Sequence, residues 1–223
     1  MNDRGLLLDI GGVVLVGGPI LAGRLASRDP RQAEVVDAVS GPDGLGSPGD
    51  QLWQQMLAGQ VSERQYWARR AEQLGTAIGE TWQTRDLMTR MFDLPRTEWL
   101  NGEVVELMID ASAAGVPLVA LTNDLKDFHG QEWVDDQEFL RLFDTIVDAS
   151  ATGVLKPHPA AFAAGAGAVG LPAADILYLD DMPWNVHAAA EAGLDAHLVS
   201  HHDPAAAVSW ARTRLDLPAT ATA

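Results

Sequence analysis

Runs typical of buried strands alternate with helical patterns over most of this 223-residue chain. That alternation points to α/β architecture, a doubly wound parallel sheet of Rossmann-like type with one all-helical insertion. Three observations carry the reading. Leu6 to Leu8 is an unbroken apolar run, the habit of a strand buried on both faces, and it stops at a single carboxylate, Asp9. Beyond residue 100, further apolar runs are separated by helix-length stretches, as right-handed crossovers between parallel strands require. Between residues 19 and 98 only helical periodicity is visible, so that stretch interrupts a core made of residues 1–18 and 99–223.

The elements follow in order. Gly11 and Gly12 after the first strand let the backbone turn sharply and approach whatever Asp9 touches. Gly17-Gly18-Pro19 reads as a flexible break, residues 20–40 carry helical patches, and Gly41 to Asp50 form the clearest loop. Leu52, Met56 and Leu57 share one helical face, and Tyr66, Trp67, Arg70 and Leu74 another. Ser62, three residues before Gln65, is a capping-box pattern opening the second of these helices. Leu100, Val104, Leu107, Met108 and Ala111 form a stripe stopped by Gly115. Strands are expected over 116–121, 145–147, 176–179 and 196–199, and helices over 131–142, from Pro159 towards Gly170, and from Pro183 through Ala192. The last residues, rich in Ala and Thr, are expected to fray.

Composition excludes several classes. A formal net charge of -16 argues against a nucleic-acid partner held through phosphates, and an anionic ligand would need its own local positive charge. Only two lysines are present, Lys126 and Lys156, against 13 arginines. Without cysteine there are no disulfides, thiolate metal sites or thiol nucleophile. No apolar run approaches the ~20 residues that span a bilayer. Asp9 interrupts the first apolar run, so no secretion signal is expected. A cytoplasmic location is the expectation, with no membrane partner, and oligomeric state is open.

Asp9, Thr122 and the Asp180-Asp181 pair each stand at the end of a strand. Parallel strands end on one edge of their sheet, and ligands bind just beyond it. Converging carboxylates repel one another unless a cation is present, and hard oxygen ligands suit Mg²⁺. A metal and Lys156 together can hold a phosphate, with Thr122 and nearby backbone N–H groups donating to its oxygens. Asp9 is then placed to attack phosphorus and form an aspartyl-phosphate. Taken singly, each residue has a plainer reading. Thr122 could bond its own backbone, Lys156 could be a surface lysine, and the acidic pair could stabilise the helix opened by Pro183. It is their joint order that favours a site.

Over residues 1–18 and 99–200 the chain resembles the haloacid dehalogenase-like hydrolase superfamily. Leu-Leu-Leu-Asp-Ile-Gly-Gly-Val matches the nucleophile motif at Asp9, and Val-Ala-Leu-Thr-Asn the second motif at Thr122, with Asn123 beside it in the phosphate site. Gly-Val-Leu-Lys-Pro-His-Pro matches the lysine motif at Lys156. Tyr-Leu-Asp-Asp-Met-Pro-Trp-Asn-Val-His-Ala-Ala matches the acidic motif. The resemblance implies Mg²⁺ held by Asp9, the carbonyl of Gly11 and Asp181, with Asp180 in support. The insertion resembles the family's helical cap, which closes over the site and selects small substrates.

One departure matters. Most phosphatases of the superfamily carry an acid/base Asp two residues after the nucleophile, where this chain has Gly11. General acid catalysis is typically worth ~10²–10⁴-fold, so slow turnover is implied for poor leaving groups. Asp124 and His129 are candidate substitutes, against the plainer reading of solvated loop residues. The leading expectation is a Mg²⁺-dependent phosphatase acting on a small phosphorylated metabolite. The alternatives are a 2-haloacid dehalogenase using Asp9, whose halide needs no proton to leave, and a catalytically weakened binding protein on the same fold.

Overall fold

The computed structural model describes residues 3–28, 33, 35–37, 40 and 43–219. Five strands form one all-parallel sheet in the order β3-β2-β1-β4-β5. They are β1 (Gly5–Leu8), β2 (Leu118–Thr122), β3 (Thr145–Asp148), β4 (Ile176–Asp180) and β5 (Asp195–Leu198). The three central strands are buried along their whole length and largely apolar, with Thr122 ending β2 and Asp180 ending β4, while the two edge strands are only partly covered. Alternation sends Leu7, Val119, Leu121, Ile176 and Tyr178 into one layer. There they pack with Phe162 and Val169 of the Pro159–Val169 helix and Ala189 of the Pro183–Glu191 helix. The helices Gly102–Ala113 and Pro204–Arg214 pack on each other, the first also against β2.

From β1 the chain moves outward to β2 and β3, then returns past β1 to β4 and β5. That reversal is the topological switch point, which opens a crevice at the carboxyl ends of β1 and β4. Register aligns them closely: Leu8 pairs with Leu179 and with Ala120, so Asp9 stands level with Asp180.

The chain divides into two compact units, Met1–Val16 with Leu100–Ala223, and Gly17–Trp99. In the second unit the described elements are helices, chiefly Gly18–Arg28, Gln51–Leu57, Glu63–Ala77 and Thr84–Met91. The Ser62–Gln65 capping box is present, and Tyr66, Trp67, Arg70 and Leu74 are buried. Tyr66 meets Trp53 and Trp67 edge-on, at ring-centroid distances of 5.4 and 4.9 Å. Arg70 is charged yet 1% exposed, because it pairs with the fully buried Asp50. Asp50 also accepts from Trp53 N at 2.9 Å, Gly46 N at 3.0 Å and the Tyr66 hydroxyl at 3.4 Å.

Several expectations need correction. Gly17-Gly18-Pro19 is not a break: a helix starts at Gly18, with Pro19 in the first turn, where its missing N–H costs nothing. Leu57 is 44% exposed, at the end of a helix that buries Leu52, Trp53 and Met56 instead. The single helix expected over 131–142 is split, because Gln137 is extended (φ -87°, ψ 106°) between Gln131–Asp136 and a 3₁₀ segment, Glu138–Leu142. Gly130, at φ 85° and ψ 159°, separates these from an unanticipated short helix, Leu125–His129. The Pro204–Arg214 helix was also not anticipated, although Asp203 caps it by accepting from Ala206 N at 3.3 Å. Gly41 and Pro42 of the expected loop, parts of the 20–40 patches and residues 220–223 of the expected frayed end lie outside the described residues. Among the described residues no helix is long and apolar enough to cross a membrane.

Candidate active site

Asp9 leaves β1 still bound to the sheet, its N–H donating to Leu179 O of β4 at 2.9 Å. One carboxylate oxygen, Oδ1, accepts from Ile10 N at 2.7 Å, and the other, Oδ2, lies 2.9 Å from Lys156 Nζ. The following turn, Ile10–Val14, closes through Leu15 N to Ile10 O at 2.8 Å. Its two glycines differ in kind. Gly12 has φ +71°, and a methyl group there would overlap the Asp181 carboxylate. Only glycine meets both constraints. The close approach that Gly12 permits is to Asp181, which shares a carboxylate cluster with Asp9. Gly11 is exposed, has ordinary extended angles (φ -65°, ψ 132°), and leaves open space where a side chain would stand.

Lys156 comes from the loop before the Pro159–Val169 helix, and its side chain is 1% exposed. Its ammonium bridges Asp9 Oδ2 at 2.9 Å and Asp180 Oδ2 at 2.8 Å. Burial alone would lower its pKa, but the charges of Asp180 and then Asp9 outweigh burial and hold it above the ordinary lysine range. Asn123 fixes this loop from the end of β2: its Oδ1 accepts from Lys156 N at 2.8 Å and its Nδ2 donates to Lys156 O at 3.2 Å. The side chain expected to touch phosphate is thus engaged in positioning the lysine. Thr122 is buried at the last position of β2, next to Asn123.

Asp180 is wholly buried and densely bonded. It accepts from Met182 N at 2.8 Å, Asn185 Nδ2 at 3.1 Å on each oxygen, the Tyr178 hydroxyl and Lys156. Burial, then the charge of Asp180, pushes the Tyr178 hydroxyl well above the usual tyrosine range, so it stays protonated and donates. Asp181, the next residue, has His201 Nε2 3.3 Å from its Oδ2. Burial, then the neighbouring His202, lowers the His201 pKa below the ordinary histidine value.

Asp9, Asp180 and Asp181 each offer one oxygen, all within 4.8 Å of one another. Lys156 pairs with two of these carboxylates, Asp9 and Asp180, and the convergence of all three is the kind of cluster that a divalent cation would stabilise. The donor set is all hard oxygen and fits Mg²⁺. The bonds to Asp180 give it a supporting place in such a site. Of the two candidates for the missing acid, His129 stacks on Trp133 with ring centroids 4.0 Å apart, and burial lowers its pKa to about 4. A histidine neutral to that pH is a weak proton donor at neutrality. Asp124 is buried rather than solvated.

The family model for haloacid dehalogenase-like hydrolase matches residues 4–193. The chain belongs to the haloacid dehalogenase-like hydrolases. It shares with them a five-stranded parallel core. Acyl-CoA dehydrogenase family member 10 of Mus musculus is 22% identical over 224 residues, covering 96% of this chain and 19% of that protein. The chain thus spans about a fifth of the curated relative it matches. The L-2-haloacid dehalogenase from Xanthobacter autotrophicus superposes with TM-score 0.57 at 18% identity, over 99% of this chain and 91% of that one. A predicted HAD-like family hydrolase from Porphyromonas gingivalis gives TM-score 0.52 at 17% identity, over 95% and 99%. These likenesses show the fold.

Within this haloacid dehalogenase-like frame, Tyr178, Asn185 and His201 surround the acidic pair, and sequence patterns did not single them out. Tyr178 was open to discovery: residues i and i+2 of a strand share a face, so its hydroxyl had to stand beside Asp180. His201 follows the carboxyl end of β5, on the edge where Asp9 and Asp180 were sought.

Proposed function

We propose that this family member is a Mg²⁺-dependent phosphatase of a small phosphorylated metabolite, with Asp9 as nucleophile. The observation that carries the reading is the three-carboxylate cluster beside a buried lysine, whose converging oxygens suit a divalent cation. Asp9, Asp181 and the Gly11 carbonyl would hold Mg²⁺, with Asp180 in support. The bound ion would screen the negative charge of the phosphoryl group from the carboxylates.

Lys156 has three N–H donors. Two face Asp9 and Asp180, leaving one for a phosphoryl oxygen, and Thr122 offers a hydroxyl to another. An Asp9 oxygen forms a bond to phosphorus as the bond to the leaving oxygen breaks. Water then attacks the aspartyl-phosphate phosphorus, releases inorganic phosphate and restores the carboxylate. Gly11 offers no proton to the leaving oxygen, which departs as the anion and is protonated once it is released into solvent. Substrates with good leaving groups, such as acyl phosphates or sugar-1-phosphates, are therefore favoured. The helical unit 17–99 is proposed as the cap that excludes water during transfer. A cytoplasmic site of action fits a chain whose described helices include none that would span a membrane.

Release of para-nitrophenol from para-nitrophenyl phosphate, with and without Mg²⁺, tests the reading on wild type and Asp9→Asn. Metal-dependent turnover should fall by at least ~10³-fold in the variant, the scale of losing a nucleophile. Turnover that survives the change removes Asp9 from the role. A second reading, 2-haloacid dehalogenation by Asp9, is favoured by the absence of an acid at position 11, since a departing halide needs no proton. Chloride release from 2-chloropropionate without metal would select it. A folded wild type inert in both assays would leave the weakened binding protein.

A further inference from the structure

His201 takes no part in the transfer steps above, yet it stands against the acidic pair. It lies in the turn Ser200–Asp203 between β5 and the final helix, and both ends of that turn are tied down. Val199 N donates to Asp180 O at 2.9 Å, continuing the β4–β5 ladder past the last paired residues, Asp180 and Leu198. Ser200 and Asp203 bridge each other, and Asp203 caps the Pro204–Arg214 helix. Sheet register thus delivers the imidazole to Asp181, with Nε2 3.3 Å from Oδ2. The same oxygen lies where a side chain at Gly12 would strike it, so Asp181 is confined by a backbone and a ring together.

The other ring nitrogen is informative. His201 Nδ1 is buried and has no hydrogen-bond partner among the described residues. A proton on Nδ1 would be a buried donor without an acceptor, whereas a proton on Nε2 faces a carboxylate. Burying an unpaired nitrogen is unfavourable, and an apolar ring of the same shape would avoid it. Packing alone does not account for histidine here; the contact with Asp181 does. Mg²⁺ prefers oxygen over imidazole, which makes the ring a support for a ligand rather than a ligand itself.

We propose that His201 is a positioning residue for Asp181, its Nε2–H fixing one carboxylate oxygen so that the other is presented to the divalent cation. The inference rests on the metal-dependent reading above. Ligating carboxylates are commonly oriented by such outer contacts, whose loss typically weakens metal binding ~10–100-fold.

Calorimetric titration of Mg²⁺ into the full chain tests it on wild type, His201→Asn and His201→Gln, with circular dichroism confirming that each is folded. The Asn amide ends near the place of Nδ1 and cannot reach Asp181; the Gln amide reaches the place of Nε2. His201→Asn should bind Mg²⁺ at least ~10-fold more weakly, and His201→Gln should recover most of the loss. Two polar variants as tight as wild type, or both equally weakened, would overturn the inference while leaving the metal reading intact. A folded wild type that takes up no Mg²⁺ would overturn the metal reading and this inference with it.

Discussion

Position 11 is where one residue decides most. An added side chain at Gly11 meets open space, and its backbone angles suit any residue, so Gly11→Asp should fold as the wild type does. The prediction is a rate increase of up to ~10²-fold on alkyl phosphates and little change on para-nitrophenyl phosphate, whose leaving group needs no acid. Equal rates on both esters would remove the missing-acid argument. Gly12→Ala is its opposite: at φ +71° and against Asp181, it should lose ~1–2 kcal/mol of stability and raise the Mg²⁺ needed for half-maximal rate, measured by urea unfolding and metal titration. The residues that the sequence singles out here, Asp9, Thr122, Asp180 and Asp181 beyond or at strand ends and Lys156 in a connecting loop, were legible from those places and from their order. Which atoms they meet was not legible. Asn123 gripping the backbone of Lys156, 33 residues away, depends on β2 ending beside that loop, and no local pattern records it.

At the scale of elements, caps and central strands were readable because their causes are local. Ser62 and Gln65 satisfy each other's backbone, and Leu6 to Leu8 need no partner to read as buried. The break at Gln137 was hidden, because its extended backbone accompanies burial of that side chain at 3% exposure. Arg70 sits on an apolar stripe, and its partner Asp50 comes from a loop 20 residues earlier. Asp50 joins that loop, the start of the Gln51–Leu57 helix and the middle of the Glu63–Ala77 helix. Removing one member of a buried pair leaves the other charge uncompensated, which costs about 3–5 kcal/mol. Asp50→Ala should therefore unfold the helical unit early in urea, followed by fluorescence of Trp53 and Trp67. A denaturation midpoint unchanged from wild type would show that the pair contributes little.

For the whole molecule, acidity is the dominant fact: with a net charge of -16, lowering the pH relieves repulsion as well as protonating specific groups. His129 supplies a separable part of that response. Burial lowers its folded pKa to about 4, whereas an unfolded histidine titrates near 6.5. Above pH 6.5 the ring is neutral in both states and stability is unaffected. Between 6.5 and 4 the unfolded chain binds a proton that the folded chain refuses, so stability falls as pH falls, and the loss levels off below 4. Phenylalanine keeps the stacking surface for Trp133 and removes the titration. Relative to wild type, His129→Phe should gain on the order of 2 kcal/mol between pH 7 and pH 4.5, measured by urea unfolding at several pH values. The comparison cancels the carboxylates and the net charge, which the two proteins share. Stability curves that stay parallel through that window would mean that the ring is protonated in the folded state, and would restore His129 as a candidate proton donor.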